Sequence, residues 1–134
     1  MCGIAGILKF HDEPVHRERL IELTNAIEHR GRDSVGLAIG GEAGIHCRSL
    51  GLGHRRLSVI DLSDAAAQPM FSTDRRLCMV YNGELYNYLE LRKELRRVGA
   101  QFHTQSDSEV ILAAYAHWGH QCLRYFNGRI AFAI

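Results

Sequence analysis

The 134-residue sequence lacks most of the features that would place it outside the ordinary globular class. No stretch approaches the ~18 consecutive apolar residues of a membrane-crossing helix, so no membrane association is expected. No single sign of charge dominates: 16 basic and 15 acidic residues leave a formal net charge of +1. Such a chain offers no strong field to nucleic acid or to an anionic membrane surface. Proline is scarce, at two residues, and there is one tryptophan. The four cysteines, Cys2, Cys47, Cys78 and Cys122, are scattered and form no CxxC pair, which argues against a disulfide scaffold and for a reduced, cytoplasmic chain. The chain does not open on a basic stretch followed by an apolar core, so no secretory signal is expected. Internal repeats, low-complexity segments and a glycine-rich phosphate loop are also missing.

What is present is a composition of 46% apolar and 23% charged residues, close to that of an average soluble domain. One hydrophobic core is expected at this length. Hydrophobic periodicity predicts a first strand over Ile4–Phe10 and a helix over Val15–His29 that stops before Gly31. Strand-like runs follow at Ser34–Ile39, Gly44–Ser49 and Gly51–Ile60, then a loop from Asp61 to Thr73. A strand at Leu77–Tyr81 is expected to break at Asn82-Gly83. Asn87–Val98 places Tyr88, Leu91, Leu95 and Val98 on one helical face, ending at Gly99. A short strand at Gln101–Thr104 leads to Ser106-Asp107-Ser108-Glu109, a helix start with an acidic first turn. The last strand is Arg129–Ile134, whose apolar end reads as the middle of a buried strand. Strands and helices mix without a βαβ rhythm, so the fold class is α+β.

Several residues carry chemistry. Removal of Met1 would leave Cys2 as the first residue, with a thiol and an α-amine in one place. A peptide α-amine titrates at about 7.7–8.0 and can relay a thiol proton near neutral pH. The alternative is a small residue that merely opens a strand. Asn82-Gly83 after an apolar strand is a turn signal, but it also offers a side-chain amide and an unhindered backbone N–H to one oxygen, the two donors of an oxyanion hole. Glu84 stands beside it and could accept from an ammonium group. In Gly51-Leu-Gly-His-Arg-Arg-Leu-Ser-Val-Ile60, period two points Arg55 and Arg56 to opposite faces. One can be solvated or ion-paired at the surface while the other grips a carboxylate. Asp107 is either a helix-start acid or a second partner for an ammonium. His117-Trp-Gly-His120-Gln-Cys122 gathers three zinc-ligand types, although zinc histidine pairs are usually separated by about three to five residues.

Taken in order, these segments resemble one family. Met1-Cys-Gly-Ile-Ala-Gly-Ile7, His29-Arg-Gly-Arg-Asp33, Gly51 to Ser63, Gln68-Pro-Met70, Tyr81-Asn-Gly-Glu-Leu-Tyr-Asn-Tyr88, Thr104 to Leu112 and Asn127 to Ile134 are similar to the glutaminase domain of class II glutamine amidotransferases. The His54-Arg55-Arg56-Leu57-Ser58 segment resembles the asparagine synthetase (glutamine-hydrolysing) type. Related sugar-isomerising and phosphoribosyl enzymes read more like His-Thr-Arg-Trp or His-Val-Arg-Tyr there.

The resemblance implies an N-terminal-nucleophile fold, an αββα four-layer sandwich of two mainly antiparallel sheets flanked by helices. It covers residues 1–134 as a partial glutaminase domain, incomplete at its C-terminus, with the synthetase domain absent. It implies Cys2 as nucleophile and Asn82 and Gly83 as the oxyanion hole. Arg56 would hold the glutamine α-carboxylate, Leu57, Ser58, Val59 and Ile60 would line the same ligand, and Glu84 and Asp107 would hold its ammonium. No metal or organic cofactor is implied for hydrolysis; ATP and Mg would belong to the missing synthetase domain. L-glutamine and a synthetase domain or subunit are the implied partners, and homodimerisation is left open. Two departures stand out: Arg32 replaces the family's proline, which should loosen the loop over the pocket, and Ala65-Ala66-Ala67 replaces a glycine-containing stretch. The rival readings are a truncated glutamine-binding module with little turnover and a zinc-dependent interaction domain built on His117, His120 and Cys122.

Overall fold

The computed structural model describes residues 2–42, 45, 47–58 and 64–134. Two three-stranded antiparallel sheets form its centre. The first pairs β1 (Gly3–Leu8), β3 (Leu50–Arg56) and β2 (Ser34–Ile39) in the order β1-β3-β2, with Gly3 opposite Arg55 and Ser34 opposite Arg56. The second pairs β4 (Met70–Phe71), β5 (Cys78–Leu85) and β6 (Gly128–Ala133) in the order β4-β5-β6. Met70 lies opposite Met79, and Asn82 opposite Ala131.

Helix α1 (Arg17–Ala26) lies flush against β3 because the strand carries a glycine where the helix crosses it. A Cβ on Gly53 would stand 2.1 Å from Thr24 Oγ1. Thr24 is fully buried and donates its hydroxyl to Leu20 O at 2.7 Å, so it has no other place to go. Arg55 sits two residues along and caps the same helix. Its Nε donates to Thr24 O at 3.2 Å, satisfying a carbonyl that the helix end leaves open, and its Nη2 donates to the Asn25 side-chain Oδ1.

On the far side, α2 (Tyr88–Arg97) and α3 (Asp107–Trp118) cover the second sheet. Met79, Tyr81 and Leu85, at period two on β5, pack with Leu91, Leu95, Val110, Ile111 and Ala114 to form the main core. A smaller cluster of Val15, Leu20 and Ile39 fills the space under α1. The two sheets meet through β1, β3 and β5. His54 of β3 reaches across and donates from Nε2 to Tyr81 O at 3.1 Å. The layers therefore run helix, sheet, sheet, helices, which is the expected αββα order.

Several local readings change, among them the expected Asp61–Thr73 loop, which contains β4, and the terminal strand, which is partly exposed rather than buried. The expected break at Asn82-Gly83 is absent: β5 continues to Leu85. Strand β6 pairs along it as far as Gly128 opposite Leu85, and this ladder outweighs the turn propensity of Asn-Gly. The chain reverses at Tyr86-Asn87 instead, where Tyr86 N–H donates to Asn127 O at 2.8 Å. Residues 101–104 are not a strand. The N–H groups of His103 and Thr104 both donate to the Glu109 carboxylate at 2.8 Å, so this loop is bound to the first turn of α3. In Gly44–Ser49 the described residues form no strand, with Arg48-Ser49 in a turn; residues 43, 44 and 46 lie outside the described set. On α2, Val98 is 54% exposed while Arg92 is 4% exposed. Arg92 is drawn in by carbonyl acceptors, Thr104 O at 2.6 Å and Ser106 O at 2.7 Å.

Replacing Gly53 by alanine is expected to destabilise the fold by about 1–3 kcal/mol through overpacking against Thr24. Urea unfolding measures it. Gly6→Ala, whose Cβ would meet nothing closer than 3.6 Å, should change stability by less than about 0.5 kcal/mol.

Candidate active site

A cavity of about 150 Å³ opens where the chain start, the end of β3, the middle of β5 and the start of α3 converge. Its lining includes Cys2, Arg56, Leu57, Ser58, Asn82, Gly83, Glu84 and Asp107. Eight of the ten residues expected in a glutamine site thus share one hollow. The other two, Val59 and Ile60, lie outside the described residues. A larger hollow of about 620 Å³ between β4 and the α2–α3 loop holds none of them.

Cys2 is placed by Leu57, directly after β3. The Leu57 N–H donates to Cys2 Sγ at 3.3 Å, and Leu57 O lies 3.5 Å from the same sulfur. Arg30 Nε donates to Cys2 O at 3.1 Å. Asp33 braces the Arg56–Ser58 segment: its N–H donates to Arg56 O at 3.0 Å, and its Oδ2 accepts from Ser58 N–H at 2.7 Å. Arg32 is exposed and does not line the cavity. The alternation along β3 separates the two arginines as period two requires. Arg56 faces the cavity, and Arg55 faces α1. Arg55 is not a solvated surface residue, however: it is 8% exposed and bound to helix carbonyl and amide oxygens, with the Glu28 carboxylate 3.8 Å away.

The donors of the cavity follow from the edge of β5. Even-numbered residues of this strand turn their N–H and C=O groups toward β6, as the Tyr86 bond to Asn127 shows. Odd-numbered residues turn theirs to the other edge. There β4 pairs beside Met79 and Cys78 and then ends. Beyond it, Tyr81 N–H donates to the Gln68 side chain at Oε1 (2.5 Å), and Tyr81 O accepts from His54. Leu85 N–H donates to Asp107 Oδ2 at 3.0 Å. Gly83, between them, faces the cavity, and no acceptor among the described residues takes its N–H. The absence of a side chain at 83 has a separate cause: a Cβ there would stand 2.1 Å from Arg129 O of β6.

Asp107 does two things at once. It is the first residue of α3, whose N-cap Ser106 accepts from Glu109 N–H at 3.3 Å, so its charge lies at the positive end of the helix. It also reaches into the sheet, where Oδ2 accepts from Tyr81 Oη at 2.8 Å as well as from Leu85 N–H. Oδ1 takes part in neither bond. Burial, reinforced by the Asp107 carboxylate, pushes the Tyr81 phenol far above its usual range, so it remains a donor. His54 is 1% exposed. Burial lowers it from 6.5 to about 4 against the opposing bond to Tyr81, and the Arg56 charge adds to the lowering.

A family model described as a glutamine amidotransferase domain matches residues 1–134. The chain belongs to the glutamine amidotransferase domain family. It is similar to asparagine synthetase [glutamine-hydrolyzing] 1 of Bacillus subtilis, 39% identical over 137 residues, covering all of this chain and 20% of that protein. Putative asparagine synthetase [glutamine-hydrolyzing] 2 of Methanocaldococcus jannaschii is 38% identical, with 27% of its length covered. Asparagine synthetase [glutamine-hydrolyzing] 2 of Oryza sativa is 35% identical, with 21% covered. The chain thus spans about a fifth to a quarter of these relatives. The solved structure of glutamine phosphoribosylpyrophosphate amidotransferase from B. subtilis superposes with a TM-score of 0.76 at 21% identity, over 96% of this chain and 34% of that one. The likeness is one of fold, in keeping with the αββα layering.

The zinc reading of this amidotransferase domain finds no site. Cys122 is fully buried in the core, while His117 packs edge-on against Trp118 and His120 lies beside Gln121 at the surface. Among the described residues no group of three or more metal-ligating side chains converges. The sequence-based expectation gives no role to Gln68 and Tyr81, which line the cavity, or to His54, which bonds to the Tyr81 carbonyl. They lie within the quoted motifs, but His54 and Gln68 bond sideways to the Tyr81 backbone and the Tyr81 hydroxyl bonds to Asp107, contacts that periodicity does not reveal.

His54 makes stability pH-dependent. The unfolded chain takes up its proton near 6.5 and the folded one near 4, so acid favours unfolding. The contribution is fully present above about pH 6.5 and falls by roughly 3 kcal/mol as the pH drops to 4. Urea unfolding at neutral and acid pH should show this component in the wild type and lose it in His54→Gln.

Proposed function

We propose that this domain hydrolyses the side-chain amide of L-glutamine to glutamate and ammonia through a thioester on Cys2. The observation that carries the reading is a single cavity that presents a thiol, an arginine, two carboxylates and an open backbone donor. These are complementary to an amino acid that carries a reactive amide. Arg56 pairs with the α-carboxylate, and Glu84 and Asp107 take the α-ammonium. The amide carbon then lies against the Cys2 sulfur, with its oxygen toward the Gly83 N–H and the Asn82 amide.

Once Met1 is removed, the Cys2 α-amine accepts the thiol proton and the sulfur adds to the amide carbon. Negative charge collects on the former carbonyl oxygen, where fixed donors stabilise it more than they stabilise the ground state. The C–N bond breaks as the amine returns the proton, and ammonia departs. Water adds to the thioester, and the thiol is released with glutamate. Every group in this sequence comes from the chain or from water, and no cofactor enters it.

The names of the relatives support a larger assignment, in which the ammonia passes to a synthetase domain or subunit that makes asparagine from aspartate. ATP and Mg would act there, and this sequence carries no phosphate-binding loop of its own. A biosynthetic role of this kind is consistent with a cytoplasmic setting. Among the described residues no helix is long and apolar enough to cross a membrane.

Purified chain with glutamine is expected to release glutamate and ammonia in equal amounts, and Cys2→Ala to release neither. Equal release by both forms rejects the nucleophile. No release by either, with glutamine still shielding Cys2 from a thiol reagent, makes the domain a binding module. Intact mass should lack Met1. Arg56→Ala should raise KM for glutamine roughly ten- to hundredfold, the range expected for losing hydrogen bonds to a charged group. Arg55→Ala should instead lower the unfolding midpoint.

A further inference from the structure

His54 is fully buried between the sheets and takes no direct part in the chemistry proposed above, yet it meets β5 at a telling place. Its Nε2 faces the Tyr81 carbonyl, which can only accept, so Nε2 carries the proton. Nδ1 is buried without a hydrogen-bond partner, and a neutral ring with its one proton on Nε2 leaves it bare. A buried polar atom left unpaired is costly. The site keeps a histidine here despite that cost, which points to a requirement at the other nitrogen.

The acceptor is the oxygen of the Tyr81–Asn82 peptide. A peptide unit is planar, so fixing this oxygen also fixes the plane that ends at the Asn82 Cα. The opposite side of that plane is held by β6, where Asn82 pairs with Ala131. Along the open edge, the group next to the Tyr81 carbonyl is the Gly83 N–H. An uncovered carbonyl oxygen in that position would repel negative charge gathering beside it; the His54 N–H occupies it. Gln68 performs the complementary task one peptide earlier, taking the Tyr81 N–H on its side-chain oxygen.

We infer that His54 is a positioning residue for the two oxyanion donors, acting through the Tyr81 carbonyl rather than through contact with substrate. The inference rests on the glutaminase reading and adds a residue to it.

The test compares His54→Asn and His54→Gln in the purified full chain. A glutamine amide can place its N–H2 near the position of the imidazole Nε2; an asparagine amide stops one methylene short. His54→Asn is expected to lower kcat for glutamine hydrolysis roughly ten- to hundredfold, below the 10²–10³ of deleting a donor outright. KM for glutamine should stay within about threefold, because Arg56, Glu84 and Asp107 are untouched. His54→Gln should recover most of kcat. The γ-aldehyde analogue of glutamine, which adds to the Cys2 thiol and places an oxyanion in the same hole, should lose affinity in His54→Asn by the factor lost in kcat. Unchanged kcat in His54→Asn overturns the inference while leaving the glutaminase reading intact. So does an equal loss in both variants with a matching fall in melting temperature, which would make His54 a packing residue. A wild-type chain that neither hydrolyses glutamine nor binds the aldehyde overturns the glutaminase reading itself.

Discussion

Backbone groups in a buried strand must find partners, and β5 is a buried strand whose neighbour ends after two residues. Much of the site follows from how that shortage is met. Continuing the β4 register backwards would set Gln68 opposite Tyr81. The main chain departs at Pro69, and the Gln68 side chain stays behind to take the bond a strand would have made. His54 supplies the next bond from the other sheet, and Asp107 supplies the one at Leu85 from the start of α3. Three elements are thereby tied to one edge, and the gap left at Gly83 coincides with the cavity.

The same economy governs β3. One face of the strand is given to α1, with a glycine admitting the helix and Arg55 closing its end. The other face is given to the space between the sheets, with His54 and Arg56. Neighbouring arginines in an identical sequence context therefore do unrelated work, and only the parity of position separates them. The residues just after the strand are held by the 28–33 segment, so Cys2, Leu57 and Ser58 keep their places through Arg30 and Asp33.

Much of this was legible in the sequence. Period two placed Arg55 and Arg56 on different faces, and the Ser106 to Glu109 start of α3 was visible as a cap with early acids. The order of the motifs brought Cys2, Arg56, Asn82 and Asp107 under one expectation before any geometry. What stayed hidden has a common physical form. Asn82-Gly83 carried a turn signal that a paired ladder overrode. Residues 101–104 alternate like a strand, yet their N–H groups are drawn to Glu109. Arg92, off the apolar face of α2, is drawn inward by two carbonyl groups at the neck of α3. Each case turns on hydrogen bonds that run sideways from the chain, and side-chain patterns carry no record of those.

The open donor at position 83 belongs to the main chain. No exchange of side chain at that residue can delete the N–H, short of proline; a bulkier side chain would act by pressing on β6. The group is encoded by the brevity of β4. Its weakness therefore lies in insertions and deletions: a change of length before Met70 that let the sheet zip further would seal the gap, while every named side chain remained in the sequence. Drift by substitution and drift by length thus threaten different parts of this domain, and a variant can lose its open donor while an alignment of its residues shows nothing missing.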